Sequence, residues 1–138
     1  MIILDTNVLS ELIKAAPLAR VVDWWNSHPE GELYLTSITE AEILVGIGLL
    51  PAGKRRAAIE LAAAETFRQD FADRVLPFDS DAAREFAKIV VARRKLGRPI
   101  SQPDAQIAGI ARACGATLAT RNTGDFEHCG VKVVNPWT

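Results

Sequence analysis

Short β-rich segments alternate with longer helical patterns along the whole chain. Each β-rich segment holds three or four residues, most of them apolar or β-branched. They are residues 2–4, 33–35, 75–77, 117–119 and 131–134. This alternation is typical of α/β layered folds with a mostly parallel sheet.

The size of the chain predicts one domain over residues 1–138. Of these residues 49% are hydrophobic and 24% are charged, which is enough apolar material for a real core. No apolar run approaches the roughly 20 residues that a membrane span needs. Asp5 interrupts the first apolar stretch too early for a signal peptide, so we expect a cytoplasmic protein.

Charge and cysteine content restrict the kind of site. The net charge is −1 and the isoelectric point about 6.1, which argues against non-specific nucleic-acid affinity, so any phosphate-binding surface must be local. Cys114 and Cys129 form no C-x-x-C pattern and are predicted to be reduced thiols. His128 beside Cys129 suggests a zinc pair, but zinc sites need more protein ligands than two.

The helical segments carry start and stop signals. Helices are predicted over residues 54–74 and from an N-cap at Ser80 to a stop at Gly97. A further helix is predicted to have Ser101 or Gln102 as its cap, Pro103 at its first position and Gly115 after its end. Serine favours the N-cap, proline the first helical position, and glycine the residue after a helix ends.

One predicted helix, residues 38–50, is apolar on nearly every side after Glu42. Such a helix is either fully buried or faces another protein, and full burial is difficult in a small domain. We therefore predict a subunit interface there. Its apolar neighbours would bury Glu42, and no basic residue at helical spacing is available to pair with it.

Four acidic residues stand out by position. Asp5 follows the first strand, Asp125 follows the fourth, Asp104 lies at the start of a helix, and Glu42 stands alone in its apolar segment. Functional groups of open α/β sheets collect at the carboxyl ends of strands, near helix N-termini. Each aspartate also has a purely structural interpretation as a helix cap, a partner of the helix dipole or a turn residue.

Convergence of these acids would require a cation. Two unit charges about 4 Å apart repel by roughly 4 kcal/mol at an effective dielectric constant of 20. All-oxygen ligand sets suit hard ions such as Mg²⁺, which can activate water and neutralise charge on a phosphoryl group. The pattern then indicates a metal-dependent phosphodiester hydrolase. No nucleotide-binding glycine motif follows a strand, and neither His28 nor His128 has a nucleophile partner in its sequence context.

Four sequence blocks occur in the order and spacing of a known family. They are ILDTN (3–7), TEAE (39–42), PDAQIA (103–108) and ATRNTGDF (119–126). In these blocks the chain resembles the PIN domain, specifically the VapC toxins of bacterial type II toxin–antitoxin pairs. The segments RVVDWWNS, VLPFD and VVNPWT are similar to the FitB branch. The resemblance covers essentially the whole chain, and implies a three-layer α/β/α fold whose short-stranded, mostly parallel sheet is flanked by helices.

The resemblance also implies an activity and partners. Such proteins are Mg²⁺- or Mn²⁺-dependent endoribonucleases that hydrolyse RNA with a metal-activated water, and a cognate VapB- or FitA-type antitoxin inhibits them. They are typically homodimers, which form heterotetramers or larger assemblies with antitoxin. We expect the antitoxin's tail to lie near residues 38–50, with a basic side chain that displaces the metal.

By match to the family motifs, Asp5 and Asp104 would be metal ligands, and Glu42 would complete the acidic cluster directly or through water. Thr120 would orient ligands at the fourth strand. The FitB branch carries an acid where this chain has Asn122. We expect Asn122 to bond a metal-bound water or an acid.

The fourth carboxylate is then assigned to Asp125. Whether Asn122 or Asp125 faces the metal stays open. The asparagine also leaves an alternative, a PIN-like module with a degenerate site that acts by binding antitoxin or RNA.

Basic residues offer a local phosphate-binding surface. Arg121, next to the proposed site, is predicted to contact phosphate. Two basic clusters, residues 54–56 and 93–98, are interpreted either as an RNA-tracking surface pooled in a dimer or as ordinary solvated surface.

Overall fold

The computed structural model describes residues 1–138 and places five short strands in one parallel sheet. The strands are β1 (Ile2–Leu4), β2 (Leu33–Thr36), β3 (Val75–Leu76), β4 (Thr117–Ala119) and β5 (Val133–Val134). Their order across the sheet is β3-β2-β1-β4-β5, and every neighbouring pair is parallel. All five predicted strands are confirmed, although β3 and β5 are shorter than predicted.

Six α-helices connect and flank the strands. They are α1 (Thr6–Leu12), α2 (Ala19–Asn26), α3 (Ser37–Gly48), α4 (Lys54–Glu65), α5 (Ser80–Lys95) and α6 (Gln102–Cys114). Single 3₁₀ turns cover Glu30–Glu32 and Thr123–Phe126, and a π-helical turn covers Thr66–Asp70. No helix combines the length and the apolar character needed to cross a membrane.

The helix predicted over residues 54–74 is shorter than expected. Its α-helical part ends at Glu65, and the π-helical turn that follows has the Phe71 N–H donating to the Thr66 carbonyl at 3.0 Å. This turn delivers the Phe71 ring to the core, where only 1% of it is exposed. No glycine or proline in this segment marks the end, so tertiary packing determines it.

One other helix start differs by one residue from prediction, and another has one of its two predicted caps. The N-cap of α5 is Asp79 and not Ser80, because the Asp79 carboxylate accepts the Ala82 N–H at 2.9 Å. The N-cap of α6 is Ser101, so Pro103 takes the second helical position. Both caps use short polar side chains, which are preferred at helix starts.

The two faces of the sheet bury separate apolar cores. Successive strand residues point to opposite faces, so Ile3 packs with α5 and α6 while Leu4 packs with α1 to α4. The core under α5 and α6 includes Ile89 and Ile107. Helices on both faces of a parallel sheet make the three-layer α/β/α architecture, as predicted.

Helix α3 is not buried on all sides. Ile43 and Ile47 face the core, whereas Leu44, Val45 and Leu49 are 54%, 61% and 81% exposed. The apolar residues on its outer side therefore remain available for a partner, as the predicted subunit interface requires.

The topology concentrates functional positions at one edge of the sheet. The chain moves outward from β1 to β2 and β3, then crosses back to β4 on the other side of β1. Such a switch opens a crevice at the carboxyl ends of the two strands that flank it, here β1 and β4. Helix α6 is held firmly beside this edge, since a Cβ on Gly109 would lie 2.8 Å from the Ala82 carbonyl of α5.

Candidate active site

Asp5 lies at the end of β1, at the mouth of this crevice, and is 5% exposed. Its backbone N–H continues the sheet by donating to the Ala119 carbonyl at 2.8 Å, while one carboxylate oxygen caps α1 by accepting the Thr6 N–H at 2.8 Å. The other oxygen accepts the Thr120 hydroxyl at 2.7 Å and the Asn7 amide at 3.2 Å. Asp5 is thus a helix cap, as its structural interpretation predicted, and also a fixed, nearly buried acid.

Burial raises the pKa of Asp5 above its ordinary value, and the negative charges of Asp104 and Glu42 raise it further. Hydrogen bonds from Thr120 and Thr6 oppose this effect by stabilising the carboxylate. The two acids that act on Asp5 come from α3 and α6, so side chains distant in sequence share one electrostatic environment.

Asp104 is the third residue of α6, and its N–H donates to the Ser101 hydroxyl at 3.3 Å. Burial raises the pKa of Asp104, the hydroxyl of Ser101 lowers it, and the negative charges of Asp125 and Glu42 raise it again. Its carboxylate forms no ion pair with a basic side chain. Asp104 is thus a half-buried acid whose surroundings disfavour the ionised carboxylate.

Glu42 is exposed, and the prediction that its neighbours bury it is wrong. The inward positions of α3 are Thr39, Ile43 and Ile47, at a spacing of four residues, so Glu42 lies on the side of the helix. There its carboxylate accepts the Thr6 hydroxyl at 2.7 Å. Because α3 is apolar on most sides, its sequence has no strong periodicity to indicate this orientation.

An open cavity of about 460 Å³ brings these acids together. Its acidic lining consists of Asp5, Glu11, Glu42 and Asp104; the remaining lining residues are Thr6, Asn7, Ser10, Lys14, Arg121, Asn122 and Trp137. No group of three or more Asp, Glu, His and Cys side chains anywhere in the chain is arranged so that it could hold a metal ion by itself. Asp5, Glu42 and Asp104 therefore share a cavity without forming a complete metal site.

Asn122 and Asp125 have different positions relative to this cavity. Asn122 lines it, and its N–H donates to the Thr120 hydroxyl at 3.1 Å. Asp125 lies on the following 3₁₀ turn outside the cavity wall, although its charge reaches Asp104. Of the two candidates left open by the sequence, only the asparagine borders the cavity.

The sequence placed Arg93 in a basic cluster that was interpreted as exposed surface. In the structure Arg93 is only 4% exposed and cannot belong to such a surface. Its guanidinium donates to the carbonyls of Arg98 at 2.7 Å and of Asp125 and Glu127 at 2.9 Å each. It also contacts the Cys129 sulfur at 3.6 Å. This buried cation fixes the loop that follows Asn122 against the end of α5.

Four cavity residues lie outside the four family sequence blocks and were not predicted as site residues, namely Ser10, Glu11, Lys14 and Trp137. With Asn7, the first three follow a spacing of three, one and three residues, which is the polar stripe of a helix and could have revealed them. Lys14 forms an ion pair with Glu11 at 3.2 Å, and this contact holds the pKa of Glu11 below its ordinary value. No comparable signal points to Trp137.

The raised pKa of Asp5 predicts a specific pH dependence of stability in EDTA. Ionising Asp5 costs more free energy in the folded chain than in the unfolded chain. The stability that protonated Asp5 contributes is therefore fully present below the unfolded pKa of about 3.9, and it is lost as pH rises through the raised folded pKa. The unfolding free energy of Asp5→Asn minus that of the wild type should therefore increase as pH rises from about 4. Urea unfolding at several pH values measures it, with the exposed Asp23→Asn as control. A difference independent of pH contradicts the prediction.

Comparison with known proteins identifies the family. Residues 2–132 match the PIN domain model. The chain belongs to the PIN domain family. It is 42% identical over 137 residues to the VapC ribonuclease Y4jK of Sinorhizobium fredii, covering 99% of this chain and 98% of that protein. It is 39% identical over 137 residues to the toxin FitB of Neisseria gonorrhoeae, covering 99% of each.

The fold of this PIN domain agrees with a solved structure. The crystal structure of FitAcB from Neisseria gonorrhoeae superposes with a TM-score of 0.92, at 39% identity and over 99% of each chain. The resemblance to VapC toxins and to their FitB branch is thereby confirmed.

Proposed function

We propose that this PIN domain is the toxin of a bacterial type II toxin–antitoxin system and a divalent-metal-dependent endoribonuclease. The observation that carries the proposal is the cavity at the switch between β1 and β4, where Asp5, Glu42 and Asp104 meet without an ion pair to any basic side chain. Relatives of similar length named as a ribonuclease and a toxin support the same reaction class.

The donor set fits a hard cation. Every candidate ligand atom is an oxygen. Burial, and to a smaller extent the negative charges of neighbouring acids, raise the pKa of both Asp5 and Asp104, and a bound cation would counter both effects by stabilising the carboxylates. Mg²⁺ commonly takes one or two carboxylates and fills its other positions with waters and substrate phosphates. A complete protein cage is therefore not required, and we assign Mg²⁺ or Mn²⁺ to Asp5 and Asp104, with Glu42 acting directly or through water.

The residues around the acids have distinct roles in this mechanism. When bound, the ion supplies an activated water and neutralises charge on the phosphoryl group. Thr120 and Asn7 orient the Asp5 carboxylate, and Thr6 orients that of Glu42 through its hydroxyl. Asn122 can donate to an acid or to a water from the cavity wall. Arg121, which also lines the cavity, supplies positive charge for a substrate phosphate.

We further propose that the protein acts in the cytoplasm as a homodimer inhibited by a VapB- or FitA-type antitoxin. The exposed Leu44 and Val45 of α3, with Leu49 directly after the helix, offer apolar surface for association. A basic antitoxin side chain that reached the nearby acids would displace the metal, so truncation of the antitoxin's tail should restore cleavage. Full inhibition by a tailless antitoxin would contradict that arrangement.

The reaction is tested by incubating the purified protein with RNA in Mg²⁺ or Mn²⁺ and in EDTA. We expect cleavage only with metal, and products with 5′-phosphate and 3′-hydroxyl ends, because water attacks the phosphorus. Cyclic 2′,3′-phosphate products, or cleavage undiminished by EDTA, would contradict the mechanism.

Two glutamates of α3 provide a matched pair for the same assay. Glu42→Gln removes the carboxylate at the cavity and should slow cleavage about 10- to 100-fold, the range seen when groups around a metal site are removed. Glu40→Gln changes the same residue type two positions away, outside the cavity, and should leave the rate unchanged. Equal rates for both variants would remove Glu42 from the site.

A binding module with a degenerate site is the second candidate function. It is favoured by Asn122, a neutral side chain at the cavity position where the FitB branch carries an acid. In that case Mg²⁺ would not raise the midpoint of thermal unfolding. For an active site we expect a concentration-dependent rise that Asp104→Asn removes, because ligands that bind only the folded state stabilise it.

A further inference from the structure

Trp137 is the one hydrophobic residue that lines the acidic cavity. Its ring is half-buried, with one part packed against the core formed with α1 to α4. Its backbone is fixed on both sides, since its N–H donates to the Asn135 side chain at 2.9 Å and its carbonyl accepts from Arg20 at 3.2 Å. With its backbone fixed and its ring partly packed, Trp137 has little conformational freedom left to lose when a ligand binds.

The guanidinium of Arg121 lies over this ring, 5.3 Å from the ring centroid, within the range of a cation–π contact. The Arg121 backbone is anchored to the site, because its N–H donates to the Asn7 side chain at 3.3 Å. Its own side chain is exposed and forms no ion pair. Arg121 and Trp137 therefore form one stacked unit, with the exposed guanidinium over an indole that packs partly against the core, in the lining of the cavity that holds the carboxylates.

The chemistry of this pair matches one unstacked nucleotide. Nucleobases of single-stranded RNA stack on aromatic rings and on guanidinium planes, and the adjoining phosphate pairs with the positive charge. A duplex keeps its bases stacked on one another and has no base free for such a platform. Free phosphate would use the arginine and not the indole.

We infer that Arg121 and Trp137 form a nucleotide subsite, in which a nucleobase of single-stranded RNA stacks next to the bond that is cleaved. The inference rests on the proposed function and extends it, because it assigns substrate recognition to Trp137. The acids of the cavity perform the reaction, and the arginine and tryptophan select an unpaired nucleotide.

The test is equilibrium binding of an unstructured 12-nucleotide RNA in Mg²⁺, measured in the Asp5→Asn background so that the RNA is not consumed. Adding Trp137→Leu should weaken binding about 5- to 150-fold, the effect of losing one base–aromatic stack. Adding Trp137→Phe keeps an aromatic face and should weaken binding less than about 3-fold. Trp24→Leu, at a half-buried tryptophan outside the cavity, is the matched control and should leave affinity unchanged.

A second measurement does not depend on the folding of Trp137→Leu. RNA should quench tryptophan fluorescence in the Asp5→Asn protein, and Trp137→Phe should remove that quenching.

The same sequence as a duplex should bind with an affinity that Trp137→Leu does not change.

Several outcomes would overturn the subsite. They are an unchanged affinity in Trp137→Leu, equal losses for single strand and duplex, absence of RNA binding, or a loss confined to antitoxin binding. The proposed nuclease reaction is judged separately, by metal-dependent cleavage in the wild-type protein.

Discussion

An Asp5→Asn variant is expected to cleave RNA more than about 100-fold more slowly than the wild-type protein and to keep its fold. Loss of groups that only support metal ligands costs about 10- to 100-fold, so loss of a ligand should cost more. Asparagine can still cap α1 by accepting the Thr6 N–H, as Asp5 does. The measurement is the initial rate of cleavage, accompanied by circular dichroism and thermal unfolding.

The matched control for that variant is Asp23→Asn, which makes the same chemical change on the exposed surface of α2. It should cleave RNA at the wild-type rate. Wild-type cleavage by folded Asp5→Asn would refute the proposed mechanism, because it would mean that the buried carboxylate at the end of β1 takes no part in the reaction.

The largest effect on stability is expected from Arg93→Met, a loss of about 2–4 kcal/mol in unfolding free energy. The substitution removes the donor shared by the carbonyls of Asp125 and Glu127, whose hydrogen bonds to Arg93 are partly buried. An acceptor left unpaired away from water costs roughly 1–3 kcal/mol. Removal of a buried charge offsets part of this cost, which is why the expected loss is smaller than the sum. Chemical unfolding in urea provides the measurement.

The neighbouring arginine supplies the control. Arg94 is exposed, and Arg94→Met should change the unfolding free energy by less than about 0.5 kcal/mol. If Arg93→Met were as stable as Arg94→Met, the carbonyl contacts of Arg93 would contribute nothing to stability, and the loop after Asn122 would need another explanation for its position.

Local patterns were sufficient to predict the sheet and two of the acids. Asp5 and Asp104 stand where a strand or a cap gives way to a helix, and such changes of pattern are visible in sequence. The carboxyl ends of parallel strands share one edge, so acids at those points are expected to approach each other. The structure places both on one cavity wall, as that reasoning predicts.

Other features depend on contacts between distant segments. The end of α4 follows from the burial of Phe71, and the buried position of Arg93 follows from carbonyls more than 30 residues away. The choice between Asn122 and Asp125 depends on how the loop after β4 turns. None of these has a local signal, because each is a property of the packed chain.

By itself, the sequence determined the alternation of strands and helices, the parallel sheet and the acids at its functional edge, since these follow from periodicity, capping and strand direction, which are local. Only the tertiary structure decided that the exposed Glu42 bonds to Thr6 of α1, that Arg93 is buried beneath a loop, and that the guanidinium of Arg121 lies over the ring of Trp137. Those positions are decided by side-chain packing between segments far apart along the chain, where the free energy of burial and hydrogen bonding outweighs local preference.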